Sequence, residues 1–126
     1  MTKKARIRLA PSYWKHEYVV PFSEDIQPVS LFLKNHHYLI LDIETQRIAQ
    51  DVGGWGNIDK LGVSVACAFD SKTGQMLVFL ENEIEKLIKL TRERLVIGYN
   101  VINFDLKVLA AYGLNSKNLD IFDIML

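Results

Sequence analysis

An apolar run that ends in two acidic residues is the feature that most constrains the fold of this chain. Residues 38–41 are apolar, and Asp42 and Glu44 follow with one residue between them. The run predicts a first strand over residues 38–43, and its nearly continuous apolar character predicts that both faces are buried. Because successive side chains of a strand point to opposite faces, Asp42 and Glu44 should project from the same face. Such a carboxylate pair is favoured beside a hard cation, Mg²⁺ or Mn²⁺, which prefers oxygen ligands.

A second motif, residues 100–105, follows later in the chain and ends in a Phe–Asp pair. Asn103 is a favourable helix N-cap, which predicts that Phe104 and Asp105 stand in the first turn of a helix that stops near Gly113. Asp105 would then interact favourably with the positive end of the helix dipole and with a metal ion nearby. Each motif alone is typical of a solvated strand end or an ordinary helix start. The two together, in this order, indicate a metal site.

The remaining segments predict an α/β arrangement. A polar loop over residues 45–59 follows the first strand, and the next two apolar runs should pair as an antiparallel hairpin, because turn residues separate them. In chain order, the predicted elements are strands over residues 38–43, 61–69, 75–80, 95–98 and 119–122, and helices over residues 81–94 and from 103 to near 113. The expected sheet is five-stranded and mixed, with flanking helices.

Chain length and composition favour a single domain. A chain of 126 residues that is 49% hydrophobic can bury one compact core but not two. We interpret residues 38–126 as the domain and residues 1–37 as a basic and aromatic N-terminal extension. The formal net charge is zero, yet the first sixteen residues contain five Lys and Arg and no acidic residue. That segment fits a phosphate-contacting arm and equally a solvated terminus.

Cysteine usage and the lack of long apolar stretches bear on location. Cys67, the single cysteine, cannot form an intrachain disulfide, which fits a reducing compartment. No N-terminal segment has the pattern of a signal peptide, and no stretch approaches the roughly 18 apolar residues of a membrane span. We therefore expect a soluble, cytoplasmic protein with no membrane partner.

The two motifs and the order of the elements resemble the DEDD superfamily of 3′-5′ exonucleases, which have an RNase H-like fold and are named for four metal-binding acids. Asp42 and Glu44 match the Asp-x-Glu of the first family motif. The second motif, an Asn followed by a short gap and an aromatic–Asp pair, is matched by Asn100 or Asn103, Phe104 and Asp105. The resemblance covers the whole predicted domain and none of the N-terminal extension.

Longer phrases strengthen this resemblance. Those at residues 41–46, 53–56 and 97–100 look like a bacterial branch of predicted nuclease domains, sometimes found with helicases. The resemblance implies two-metal hydrolysis of a terminal phosphodiester, at the 3′ end of a single strand, with Mg²⁺ or Mn²⁺. Asp42 and Glu44 would hold one ion, and Asp105 would approach a second ion near Asp42.

Five further residues are expected to contact nucleic acid: Thr45, Trp55, Asn100, Asn103 and Phe104. Trp55 stands among glycines, where it could stack on a terminal base or could equally hold its own loop against the core. The motifs bind phosphate and metal, so they do not distinguish DNA from RNA.

The fourth acid of the family, with a Tyr or His four residues before it, has no counterpart in this chain. Asp120 and Asp123 are the only late acids, and Ser116 and Leu119 stand four residues before them. Three of four acids imply a weakly held metal site and a domain that is weak or inactive alone. The alternatives are a non-catalytic nucleic-acid-binding or assembly subunit that retains the nuclease fold, and an inhibitor or scaffold whose site residues are relics.

The resemblance also implies that the fold is truncated at its C-terminal side, where the family has further helices. A sheet with apolar faces needs a cover on both sides. We expect residues 7–35 to fold back over it, with 28–34 as a short helix, or else a homo-oligomer or a second protein to dock there.

Overall fold

The computed structural model describes residues 36–125 in full and the backbone of two strands, residues 3–8 and 17–22. In this part of the chain the strands are β1 (Lys3–Arg8), β2 (Glu17–Phe22), β3 (Tyr38–Thr45), β4 (Val63–Asp70), β5 (Gln75–Leu80), β6 (Leu95–Gly98) and β7 (Ile121–Asp123). The α-helices are α1 (Ile84–Glu93) and α2 (Asp105–Ala110), and short 3₁₀ helices span Ala49–Val52, Trp55–Lys60, Glu81–Glu83 and Ser116–Asn118.

The strands form one mixed sheet in the order β2-β1-β7-β6-β3-β4-β5. β3, β4 and β5 pair antiparallel, whereas β6 runs parallel to both β3 and β7. The five strands from β3 to β7 confirm the predicted α/β class and the predicted five-stranded mixed sheet. β1 pairs with β7 and β2 pairs with β1, both antiparallel, so the N-terminal extension adds two strands that the sequence pattern did not indicate.

The bounds of the predicted elements hold best where turn residues flank them. β5 and β6 begin and end at the predicted residues, and the hairpin of β4 and β5 turns at Asp70 to Gly74. Gly74 has a left-handed φ of 68°, which glycine adopts without steric cost, and its N–H donates to the Asp70 carbonyl at 2.8 Å. The predicted polar loop over residues 45–59 instead contains two 3₁₀ helices.

One face of the sheet carries the main core. β3 contributes Leu39, Leu41 and Ile43, and both α-helices add apolar side chains to the same cluster. Those side chains are Ile84, Leu87 and Ile88 of α1 and Leu106, Val108 and Leu109 of α2. Leu87 and Ile88 follow Ile84 by three and four residues, so α1 has one apolar stripe, and burial of the apolar side chains of both helices holds them on the sheet.

The prediction that β3 is buried on both faces is wrong. Ile40 is 46% exposed, and Asp42 and Glu44 on the same face are exposed as well. Met76 and Val78 of β5 are 67% and 59% exposed. The buried helix side chains join the core of the opposite face, so the continuous apolar run of β3 alternates between covered and open positions.

Of residues 7–35, which were expected to fold back over the sheet, residues 7–8 and 17–22 lie within the sheet in β1 and β2, and the rest lie outside the described residues. The helix predicted over residues 28–34 lies outside the described residues. Of the helices in the part of the chain that the structure describes, none has the length and apolar character needed to cross a bilayer.

Candidate functional site

Asp42 and Glu44 lie at the C-terminal end of β3 and project from the same face, as predicted. Both side chains are exposed, and Ile43 between them is buried with 4% exposure. The pairing of β3 with β4 is irregular between Glu44 and Thr45, a bulge that ends the regular ladder next to the two acids. Exposed carboxylates at a strand end keep rotamer freedom, so both can turn towards a ligand.

Asp105 is distant from this strand end in the sequence but lies next to it in the fold. It is the first residue of α2, is 4% exposed, and accepts a hydrogen bond from the Ile43 N–H through Oδ1 at 3.1 Å. The pairing of β3 with β6 ends at Ile40, so the backbone of β3 beyond that residue is open to α2 on this side. The start of the helix is therefore attached to the backbone between Asp42 and Glu44.

The environment of Asp105 disfavours its charged form. Burial raises the pKa of Asp105 to about 7, because a carboxylate loses its hydration there. The backbone N–H groups of Asp105 and Ile43 act in the opposite direction, and the negative charges of Asp42 and Asp123 raise the pKa further. Three carboxylates are thus close enough to interact at one end of the sheet.

Asp123, the last residue of β7, is the member of this group that the sequence pattern missed. It is 2% exposed, and Oδ2 accepts a hydrogen bond from the Ile102 N–H at 3.1 Å. Oδ1 is buried and has no hydrogen-bond partner among the described residues. A signal was available, because β3, β6 and β7 are parallel and their carboxyl ends must meet at one sheet edge.

The turn between β6 and α2 places Asp105. Asn100 has a left-handed φ of 52°, a conformation that asparagine tolerates, and its carbonyl accepts the Phe104 N–H at 3.0 Å. Gly98 permits close packing of this turn, since a Cβ there would lie 2.9 Å from Val101 Cβ and 3.1 Å from the Leu41 carbonyl oxygen.

The predicted role of Asn103 as N-cap is wrong. The capping position of α2 is Phe104, no side chain makes a cap hydrogen bond there, and Asn103 is exposed. Backbone hydrogen bonds across the turn, together with the Asp123 carboxylate on Ile102, hold the helix start without a side-chain cap. Asp105 stands in the first turn, as predicted.

Trp55 and Phe104 form an aromatic pair beside Asp105. Their ring centroids are 6.4 Å apart in an edge-on arrangement, Phe104 is half-buried, and Trp55 is 69% exposed. Trp55 therefore packs against the helix start and still presents most of its surface. The Thr45 hydroxyl donates to the Arg47 carbonyl at 2.8 Å. A shallow pocket of about 240 Å³ lies here and is lined by Thr45, Arg47, Ile48, Trp55, Leu61 and Phe104, among others.

The other buried aspartate, Asp70, shows how this protein compensates a buried charge elsewhere. Asp70 is 2% exposed and binds Arg94 through two contacts, Nε to Oδ1 at 2.9 Å and Nη2 to Oδ2 at 3.3 Å. These hydrogen bonds hold the pKa of Asp70 below its usual range. Within the described residues no ion pair involves Asp42, Asp105 or Asp123.

The donor chemistry of the site suits a hard cation, but its geometry is open. Carboxylate oxygens are the ligands that Mg²⁺ and Mn²⁺ prefer, and the negative charge here lacks a described counter-charge. Across residues 36–125, however, no three His, Cys, Asp or Glu side chains are placed so that they could hold a metal ion. A cation would need the exposed side chains of Asp42 and Glu44 to turn towards Asp105. No protein-family model matches the chain, and the search of curated proteins gives no match.

Proposed function

We propose that this chain is a DEDD-type 3′-5′ exonuclease-like domain that hydrolyses nucleic acid with divalent metal ions and is weak or inactive alone. The attachment of Asp105 to the β3 backbone between Asp42 and Glu44 carries the proposal, because it brings the two sequence motifs to one place. From β3 onward the structure has three strands, an α-helix, a strand, an α-helix and a strand, and this order supports the RNase H-like fold that the resemblance implies.

Asp42, Glu44 and Asp105 would hold the ions, Mg²⁺ or Mn²⁺. When bound, the ions would activate a water molecule and stabilise the leaving 3′ oxygen. The protein contributes a buried, fixed carboxylate in Asp105 and two exposed ones that can turn inward. Mg²⁺ demands near-octahedral geometry and gives up water reluctantly, so this open arrangement favours weak binding.

The aromatic pair supports a single-stranded substrate. The exposed Trp55 ring beside Phe104 offers a surface on which a terminal base can stack, an interaction worth roughly 1–3 kcal/mol. Arg47 at the adjacent pocket can contact a phosphate. Asn100 and Asn103 supply polar groups on the turn between β6 and α2. Cys67 is the single cysteine and fits a reducing compartment, so the proposal includes a cytoplasmic location for the protein.

A second candidate function is a non-catalytic nucleic-acid-binding or assembly subunit that retains the nuclease fold. The exposed apolar face of Ile40, Met76, Val78 and Leu80 favours it, because contiguous apolar surface marks interaction sites. A homo-oligomer or a protein partner on this face would explain it, and the open geometry of the acids fits a loss of chemistry.

The proposal is tested by metal binding and by digestion of a labelled strand. Mn²⁺ should bind the wild-type chain, and Asp42→Ala should abolish that binding, whereas Asp59→Ala at an exposed acid outside the site should leave it intact. An identical Mn²⁺ response in wild type and Asp42→Ala would overturn the site assignment.

Digestion separates the enzyme from the binding subunit. Slow removal of nucleotides from a strand labelled at its 5′ end, lost in Glu44→Ala and kept in Asp59→Ala, is expected of a weak 3′-5′ exonuclease. A strand that is bound but never shortened, in Mg²⁺ or in Mn²⁺, would favour the binding subunit.

A further inference from the structure

A groove between α1 and the residues that follow α2 is lined mainly by positive charge, unlike the strand end that carries the acids. Its volume is about 460 Å³. The residues that line it include Glu85, Lys86, Lys89, Arg92, Tyr112 and Gly113. We call this surface the α1 groove. Three cationic side chains against one carboxylate give its lining a net positive charge, which suits an anionic ligand.

This concentration of positive charge contrasts with the charge of the domain around it. Residues 36–125 contain nine Lys and Arg against twelve Asp and Glu, so this part of the chain is acidic overall. One of the nine, Arg94, is paired with the buried Asp70. Three of the others line the α1 groove. A polyanion is repelled by an acidic domain as a whole and is attracted where cations are concentrated, so the α1 groove is a favourable place for it to bind.

Lys89 and Arg92 are available to such a ligand. Both side chains are exposed, and neither takes part in an ion pair among the described residues. Lys86 instead pairs with Glu83 at 3.3 Å. Glu85, Lys89 and Arg92 follow one another by four and three residues, so their side chains share one face of α1. The helix dipole favours a cation in the last turn and explains Arg92 in that way, but it does not explain Lys89 in the middle of the helix.

Tyr112 connects the α1 groove to the end of β3 that carries the exposed acids. Its hydroxyl accepts the Val63 N–H at 2.8 Å and donates to Glu81 at 2.9 Å. Val63 is the β4 partner of Thr45, the residue that follows Glu44. Tyr112 is half-buried, so part of its ring stays accessible in the groove. Cations that contact phosphates, beside an aromatic ring on which a base stacks, are the combination by which proteins hold single-stranded nucleic acid.

We propose that the α1 groove binds the sugar–phosphate backbone of a single-stranded nucleic acid, with Lys89 and Arg92 contacting phosphates. This inference rests on the proposed nucleic-acid-binding function, but it does not depend on a metal ion. It gives the strand a second contact surface, on a different helix from the one that Trp55 packs against. A strand long enough to reach both surfaces should bind more tightly than a short one, because the second contact is intramolecular once the first is made.

The test is fluorescence anisotropy of a 5′-labelled oligothymidylate of about 12 nucleotides with the full chain in EDTA. Lys89→Gln/Arg92→Gln removes two cations from the groove, and the control Lys72→Gln/Lys117→Gln removes two exposed cations outside it. We expect the groove variant to lose about tenfold in affinity near 0.1 M salt, and the slope of log K against log salt to become shallower by about 1.4, since each phosphate contact on a single strand contributes about 0.7. The control should keep the wild-type slope.

A gain of affinity provides an independent measurement. Glu85→Gln removes the carboxylate from the groove lining, and the affinity for the oligonucleotide should rise about twofold, as expected for one exposed charge. Glu93→Gln changes an exposed acid on the same helix outside the lining and should stay close to wild type. Damage to the fold lowers affinity, so a gain that is specific to Glu85→Gln cannot come from misfolding.

The outcomes separate the α1 groove from the function on which it rests. If wild type binds the oligonucleotide and both double variants bind it equally well, or if Glu85→Gln binds no more tightly than Glu93→Gln, the groove is not a binding surface and the proposed function at the acids stands. Polyglutamate that competed as well as unlabelled oligothymidylate of equal charge would assign the groove to an acidic protein instead. If wild type binds no oligonucleotide, the proposed function falls together with the groove.

Discussion

Replacing Asp105 with Asn should remove a pH-dependent penalty on folding. The carboxyl group has a pKa of about 7 in the folded protein and near 3.8 when unfolded. The folded state therefore keeps a proton that the unfolded state releases. Stability from this group is complete below about pH 4 and is lost as the pH rises to 7. At about 1.4 kcal/mol per pKa unit, the loss is on the order of 4 kcal/mol.

Asn is neutral at every pH and keeps an oxygen that accepts the Ile43 N–H. Asp105→Asn should therefore match wild type in stability below about pH 4 and exceed it near pH 8 by up to about 4 kcal/mol. Groups with lowered pKa, such as Asp70, destabilise both proteins equally in acid, so the difference between the two curves isolates Asp105.

Urea unfolding followed by circular dichroism, in EDTA, measures both curves, and a chain of this size is suited to two-state treatment. Asp59→Asn is the matched control at an exposed acid and should show no pH-dependent gain. A difference between wild type and Asp105→Asn that stayed constant from about pH 4.5 to about pH 8 would refute the reasoning.

Three further predictions concern the fold. Arg94→Ala leaves the Asp70 carboxylate buried and unpaired, and we expect the free energy of unfolding in urea to fall by about 3–5 kcal/mol. The control Lys89→Ala should have only a mild effect. Gly98→Ala should cost about 1–3 kcal/mol because its methyl group meets the following turn, whereas Gly56→Ala, with open space, should cost less than 1 kcal/mol. Light scattering should show that Val78→Lys converts an oligomer to a monomer without loss of stability, whereas Ala110→Lys on the helix side should leave the oligomer intact. A monomeric wild type would contradict this prediction.

The parts of the fold that the sequence predicted well are those that local chemistry determines. β5 and β6 have the predicted bounds because turn residues flank short apolar runs, and α1 follows its apolar stripe. Burial of Ile40 was predicted wrongly because an apolar residue does not reveal whether another element covers it. The strands β1 and β2 were missed because β1 pairs with β7, which is distant in the chain, and β2 in turn pairs with β1.

The site divides in the same way. Asp42, Glu44 and Asp105 were identified from short motifs, and the structure brings Asp105 to the strand end that carries the other two. Asp123 was set aside because no Tyr or His precedes it at the family spacing. Its contact with the Ile102 N–H is a tertiary one, and the same contact explains why Asn103 is not needed as a cap.

The hydrogen bond from Ile43 to Asp105 also makes one backbone amide a sensor of the whole site. The Ile43 N–H lies between the two exposed acids and donates to the buried one, so its proton resonance and its solvent exchange both depend on the state of that oxygen. Ionisation of Asp105, or a cation drawing on the same carboxylate, will shift this single amide signal in a heteronuclear NMR spectrum. Occupancy can then be followed from within β3, with no label on either ligand or substrate.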